Sequence, residues 1–173
     1  MAGQLVQVAT ETVTSAVASV TLTGIDSDDV YMVAYNNVTP SVDVRSISLR
    51  VTKSGTADTT SNYDYAYKVL NSASSFGEAS FTNDTEWQYL VADSVGTGTS
   101  ESANGIIYLY NFNSSSEYSF ITAEVTEVNS STTSRGNQGG GVHTVASASD
   151  GVNWFDTAGG NIASGTFTLF KVI

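Results

Sequence analysis

Short runs of alternating apolar and polar residues recur along this chain, and that periodicity constrains the fold more than any other feature. From Ser46 to Thr52, the residues Ile47, Leu49 and Val51 share one parity, while Ser48 and Arg50 take the other. Successive side chains of a strand point to opposite faces, so a period of two buries one face and leaves the other to water. The same alternation runs through Val20-Thr21-Leu22-Thr23 and through Glu117 to Thr126, where Ile121, Ala123 and Val125 align. It also closes the chain. In Ser164 to Ile173, Phe167, Leu169 and Ile173 fall on one face and Thr166 and Thr168 on the other. Such an apolar ending is expected to be pinned inside a sheet.

Other segments complete the pattern. Gln4 to Ala9 reads as a first strand, and Thr10 to Gly24 as a β-branched segment ending in a strand at Gly24. Val30 to Tyr35 and Gly105 to Phe112 are apolar at both parities, which predicts central strands. Tyr63 to Val69 and Trp87 to Ala92 are further strands. Turns are predicted at Asp26–Asp29, at Asn36–Ser41 with the only proline, at Ser54–Asn62 and at Asn113–Ser116. Asn71–Asp84, Gly96–Asn104 and Asn129–Gly141 are Ser- and Gly-rich and read as loops. No segment has a helical period. The expectation is all-β: a single-domain antiparallel β-sandwich over residues 1–173, with a jelly roll as the expected form. A short N-terminal segment, about residues 1–9, is expected to serve assembly contacts.

A chain of 173 residues suits one domain. It has no cysteine and one histidine, which excludes disulfide staples, thiol chemistry and Cys- or His-rich metal sites. Six basic residues stand against 17 acidic ones, a formal charge of -11. Phosphate neutralisation needs clustered Lys and Arg, so no nucleic-acid partner and no anionic membrane partner is expected. The N-terminus lacks the basic and apolar regions of a signal peptide, and no apolar run is long enough to span a bilayer.

Residues capable of chemistry are few. His143 with Asp150 and a serine suggests a triad, but no nucleophile-elbow motif accompanies it, and a plain strand or loop histidine is favoured. Gly136–Gly141 lacks the lysine of a phosphate-binding loop, and a strand follows it, not a helix. Asp26, Asp28 and Asp29 offer carboxylates to a hard cation, yet their spacing is not that of an EF-hand, and a solvated turn is favoured. No catalytic, cofactor or metal residue is assigned, and no enzymatic activity is expected. The aromatic residues Tyr63, Tyr65, Tyr67, Trp87 and Tyr89 are the candidate contact face. With Tyr108 and Tyr110 they make a row that has two readings: a sugar-stacking or protein-contact surface, or half-buried packing between strands, and packing is favoured.

Three stretches occur in a suggestive order. The first is Tyr31-Met32-Val33-Ala34-Tyr35-Asn36-Asn37-Val38-Thr39-Pro40-Ser41, leading to Ile47-Ser48-Leu49-Arg50-Val51-Thr52-Lys53-Ser54-Gly55. The second is Asn62-Tyr63-Asp64-Tyr65-Ala66-Tyr67. The third is Gly160-Asn161-Ile162-Ala163-Ser164-Gly165-Thr166-Phe167-Thr168-Leu169-Phe170. Together they resemble a β-sandwich module of tailed-bacteriophage virion structural proteins, found in head-surface decoration, appendage and tail-fibre proteins. Phe170-Lys171-Val172 stands where that module often has Tyr-Gly. The resemblance implies a non-enzymatic virion protein made in the host bacterial cytoplasm. The expected role is a capsid decoration or cement-type protein that binds the major capsid protein or other virion proteins. It would be a homo-oligomer, with a trimer as the working number. The alternative is a tail-fibre or appendage module that recognises host surface glycans.

Overall fold

The computed structural model describes residues 3–73 and 76–173. The described chain contains thirteen strands. They are β1 (Leu5–Val13), β2 (Ser19–Thr23), β3 (Tyr31–Pro40), β4 (Arg45–Lys53), β5 (Thr56–Ala57), β6 (Tyr63–Asn71) and β7 (Gly77–Asp84), followed by β8 (Trp87–Val95), β9 (Ala103–Tyr110), β10 (Ser119–Val128), β11 (Ser134–His143), β12 (Gly151–Asp156) and β13 (Ile162–Val172). Two antiparallel sheets pack together. The large one has the order β1-β13-β3-β9-β10-β11-β6-β7, and the small one β2-β12-β4-β5, with β8 also paired to β4. The chain therefore folds as the antiparallel sandwich that its alternating pattern predicts.

Alternation places the core. Ile47, Leu49 and Val51 of β4 are fully buried, as are Phe167 and Leu169 of β13, and Trp154 of β12 meets Phe167 across the seam at 5.2 Å between ring centroids. Tyr35 of β3 donates its hydroxyl to the Val91 carbonyl of β8 at 2.7 Å, a buried bond joining the two sheets. Ser48, expected outward, is buried. Ile173, expected inward, lies past the end of β13 and is 53% exposed, although its backbone exchanges two hydrogen bonds with Gln4.

Several boundaries differ from the sequence reading. The first strand runs on to Val13, and only Ser19–Thr23 of the next segment is extended as a strand. Residues 36–40, read as part of the proline turn, continue β3, and two stretches read as loops are strands. Gly77–Asp84 forms β7 at the edge of the large sheet; Ser74 and Ser75 of that stretch lie outside the described residues, as do Met1 and Ala2 of the N-terminal segment. Ser134–His143 forms β11, which pairs with β10 on one side and β6 on the other. Its glycines serve close packing. A Cβ on Gly139 would overlap the Ala66 carbonyl, and one on Gly141 would come within 2.5 Å of Trp87 Nε1. Side-chain-free positions there let the Trp87 indole lie against the sheet.

Candidate functional site

The large sheet turns one face to the core and the other to solvent, and the outer face carries more apolar surface than alternation requires. One cross-strand row runs Phe170, Met32, Tyr108, Thr122, Gly140, Ala66, Ser80. The adjacent row passes through Ile106, Glu124, Gln138, Lys68 and Glu78. Ile106, Tyr108 and Phe120 are each about two-fifths exposed. The both-parity apolarity of Gly105–Phe112 thus has two causes. Ile107 and Leu109 are core, whereas Ile106 and Tyr108 are surface.

Relief on this face comes from strand β11. At Gly136 and Gly140 it presents no side chain outward, so the sheet backbone becomes a floor between the aromatic ridge of β9 and β10 and the polar residues of β6 and β7. A depression of about 610 Å³ lies beside it over β9 and β10, lined by Tyr108, Tyr110, Thr122 and Gln138 among others. The Tyr108 and Tyr110 rings stack at 6.5 Å, and Gln138 Nε2 donates to Glu124 Oε1 at 3.3 Å. The surface is open and shallow, a shape for contact with a broad partner.

The five aromatic residues of the candidate contact face separate by depth of burial. Tyr63, Tyr65 and Tyr67 point inward from β6, not to the outer face. Tyr63 and Trp87 are fully buried and meet edge to face at 5.0 Å, and Tyr65 is 4% exposed, so these three have no free surface to offer. Burial pushes the Tyr63 and Tyr65 phenols up, with Asp58 adding to the first and the Asp84 hydrogen bond to the second. Tyr67 and Tyr89 stay half-buried at the rim of the inter-sheet seam, where burial raises the Tyr67 phenol to about 12. Of the outer-face residues, Tyr108 belongs to the aromatic row already singled out, whereas Ile106 and Phe120 were missed; the unbroken apolarity of Gly105–Phe112 was the signal for Ile106.

The other candidate groups are not assembled into chemistry. His143 is buried beside the Tyr63 ring, with Asp58 Oδ2 at 3.5 Å from Nε2. Desolvation lowers its pKa and the Asp58 carboxylate opposes this, so the imidazole is neutral at pH 7. Asp150 is engaged elsewhere, accepting from the Thr52 hydroxyl and the Gly55 N–H at 2.7 and 2.8 Å. The Asp26–Asp29 turn already holds a cation: Lys171 Nζ lies 2.7 Å from Asp29 Oδ2 and 4.0 Å from Asp26 Oδ1. Among the described residues no three His, Asp or Glu side chains are grouped for a metal ion. The Gly136–Gly141 segment, being a paired strand, has its amides committed to the ladder rather than turned toward an anion.

No family model matches the chain, and neither a curated protein nor a solved structure does.

Proposed function

We propose that the chain is a non-enzymatic structural protein of a tailed-bacteriophage virion, acting as a capsid decoration or cement-type protein. The observation that carries this reading is the exposed aromatic and aliphatic outer face of the eight-stranded sheet. Strands about 4.8 Å apart and about 30 Å long give the whole outer face, polar residues included, roughly 1,000 Å², which exceeds the ~800 Å² per partner of a standard stable interface. Contiguous exposed apolar patches mark interaction sites. Its partner is the major capsid protein or a sister copy. Many symmetric copies multiply a modest single-site affinity, which suits a broad shallow surface better than a deep pocket. The charge of -11 keeps the solvent-facing remainder dispersed.

Electron microscopy of purified particles carrying the labelled protein tests this. The expected result is a regular lattice on the head. Pairing Tyr108→Ser with Phe120→Ser should cut occupancy at least tenfold, corresponding to about 1.4 kcal/mol per site, while the free protein keeps its melting temperature. Density confined to the tail would replace the decoration role with a tail-fibre or appendage role. Absence from particles would remove both.

A further inference from the structure

At the β7 end of the sandwich the two sheets do not close over each other. Strand β8 packs against β6, β10 and β11, while β7 gains no comparable cover. Four rings meet in this gap. Phe81 of β7 stacks on Tyr65 at 4.9 Å, Tyr67 meets Tyr89 at 5.6 Å, and Phe81 meets Tyr89 at 6.1 Å. Phe81 is 37% exposed, and Tyr67 and Tyr89 are half-buried.

Tyr89 reaches this gap by an irregularity in its strand. Between the pairs Leu49↔Trp87 and Ile47↔Ala92, β4 advances two residues while β8 advances five. Tyr89 sits in the resulting bulge with a φ of +64°, a left-handed conformation that bulky residues rarely adopt. The buried Asn137 side chain fixes it by donating to the Tyr89 carbonyl at 2.8 Å. Bulges re-aim side chains, and strain of this kind persists where the surroundings over-determine it. Here the outcome is an aromatic ring moved out of the core line of β8 and onto the rim.

We propose that Tyr67, Phe81 and Tyr89 form a stacking site for a neutral saccharide. This goes beyond the assembly role and rests on different residues. The charges around the rim select the ligand class. Asp84 and Asp93 both bear on Tyr89, and the Arg135 guanidinium is taken up by Asp93. An anion would therefore meet carboxylates and a strongly acidic chain, while the nearest cations among the described residues, Arg135 and Lys68, are already paired with Asp93 and Glu78. A pyranose instead offers an apolar C–H face for the rings and hydroxyls for their edges. The Tyr67 and Tyr89 hydroxyls have no protein partner among the described residues, and Asp84, which accepts from Tyr65 at 3.0 Å and from the Thr85 N–H at 2.7 Å, keeps one further lone pair on each oxygen for a sugar hydroxyl.

Titration of the full chain with cellohexaose, maltohexaose, mannohexaose, xylohexaose and chitohexaose, followed by calorimetry and aromatic NMR shifts, tests the proposal. At least one should bind, with little dependence on salt. Tyr67→Ala and Tyr89→Ala should each weaken that binding about tenfold or more, whereas Tyr108→Ala on the outer face should leave it unchanged. Phe81→Ser, at an exposed edge, provides the same reading should a tyrosine variant fail to fold. Failure of all five sugars to bind, retention of affinity in the folded rim variants, or capture of a proline-rich peptide by these rings in place of a sugar would each overturn it. Because the outer face is untouched, either result leaves the particle-binding measurement independent.

Discussion

Glu127 of β10 is 3% exposed, and its surroundings couple its titration to the fold. Burial raises its carboxyl from the ordinary 4.5 to about 8; the Asp93 N–H, donating at 2.9 Å, and the Arg135 charge oppose this, while the Asp93 charge adds to it. The folded state therefore holds a proton that the unfolded chain has released by neutral pH. Stability from this group is fully present below about 4.5, falls as pH rises towards 8, and is flat beyond. Glu127→Gln removes the titration. The variant should be more stable than the parent at pH 9 by roughly 1–3 kcal/mol, the cost of a buried group without full compensation, and the gap should close near pH 4. Urea unfolding at the two pH values measures it. A parent–variant gap that is the same at both pH values would show that Glu127 is ionised in the folded state.

Among the elements, β13 and β11 are the most instructive. Strand β13 lies between β1 and β3, pairing with both along its length. Removing Thr168–Ile173 would strip Leu169 from the core and leave two neighbours with open edges, so the truncated chain should lose cooperative unfolding and aggregate. A soluble truncation with a single sharp melt would contradict this. The edge strand β1 shows how the free edge of the sheet is blunted: a register shift between Gln7 and Ala9, and Glu11 on the core-side parity opposite Phe167. Strand β11 is a different case, since its place is set by backbone ladders on both sides and by what its glycines admit, Trp87 above all.

For the whole molecule, the acidic balance and the apolar outer face oppose each other. At pH 7 a formal charge of -11 keeps copies apart; near the pI of about 4.1 that repulsion vanishes. Light scattering on acidification should show association setting in close to that pH. Phe120→Ser should shift its onset to higher protein concentration, because Phe120 is 43% exposed on the face that then makes contact. Equal onset in parent and variant would place the association elsewhere on the surface.

The sequence by itself determined the class of fold and much of its core. Ile47, Leu49, Val51, Phe167 and Leu169 alternate because one side of each strand must leave water, and that requirement is written residue by residue. It likewise excluded cysteine chemistry and a basic surface, which depend on composition alone. Tertiary structure decided the rest. Whether Tyr63, Tyr65 and Trp87 face a partner or the opposite sheet depends on what packs above them, and parity cannot say which face is covered. The glycine-rich stretch from Ser134 to His143 became a strand because its neighbours' backbones pair with it, a signal that side chains do not carry. The position of Tyr89 was decided by a bulge and a distant asparagine, a constraint that exists only once β8 and β11 have met.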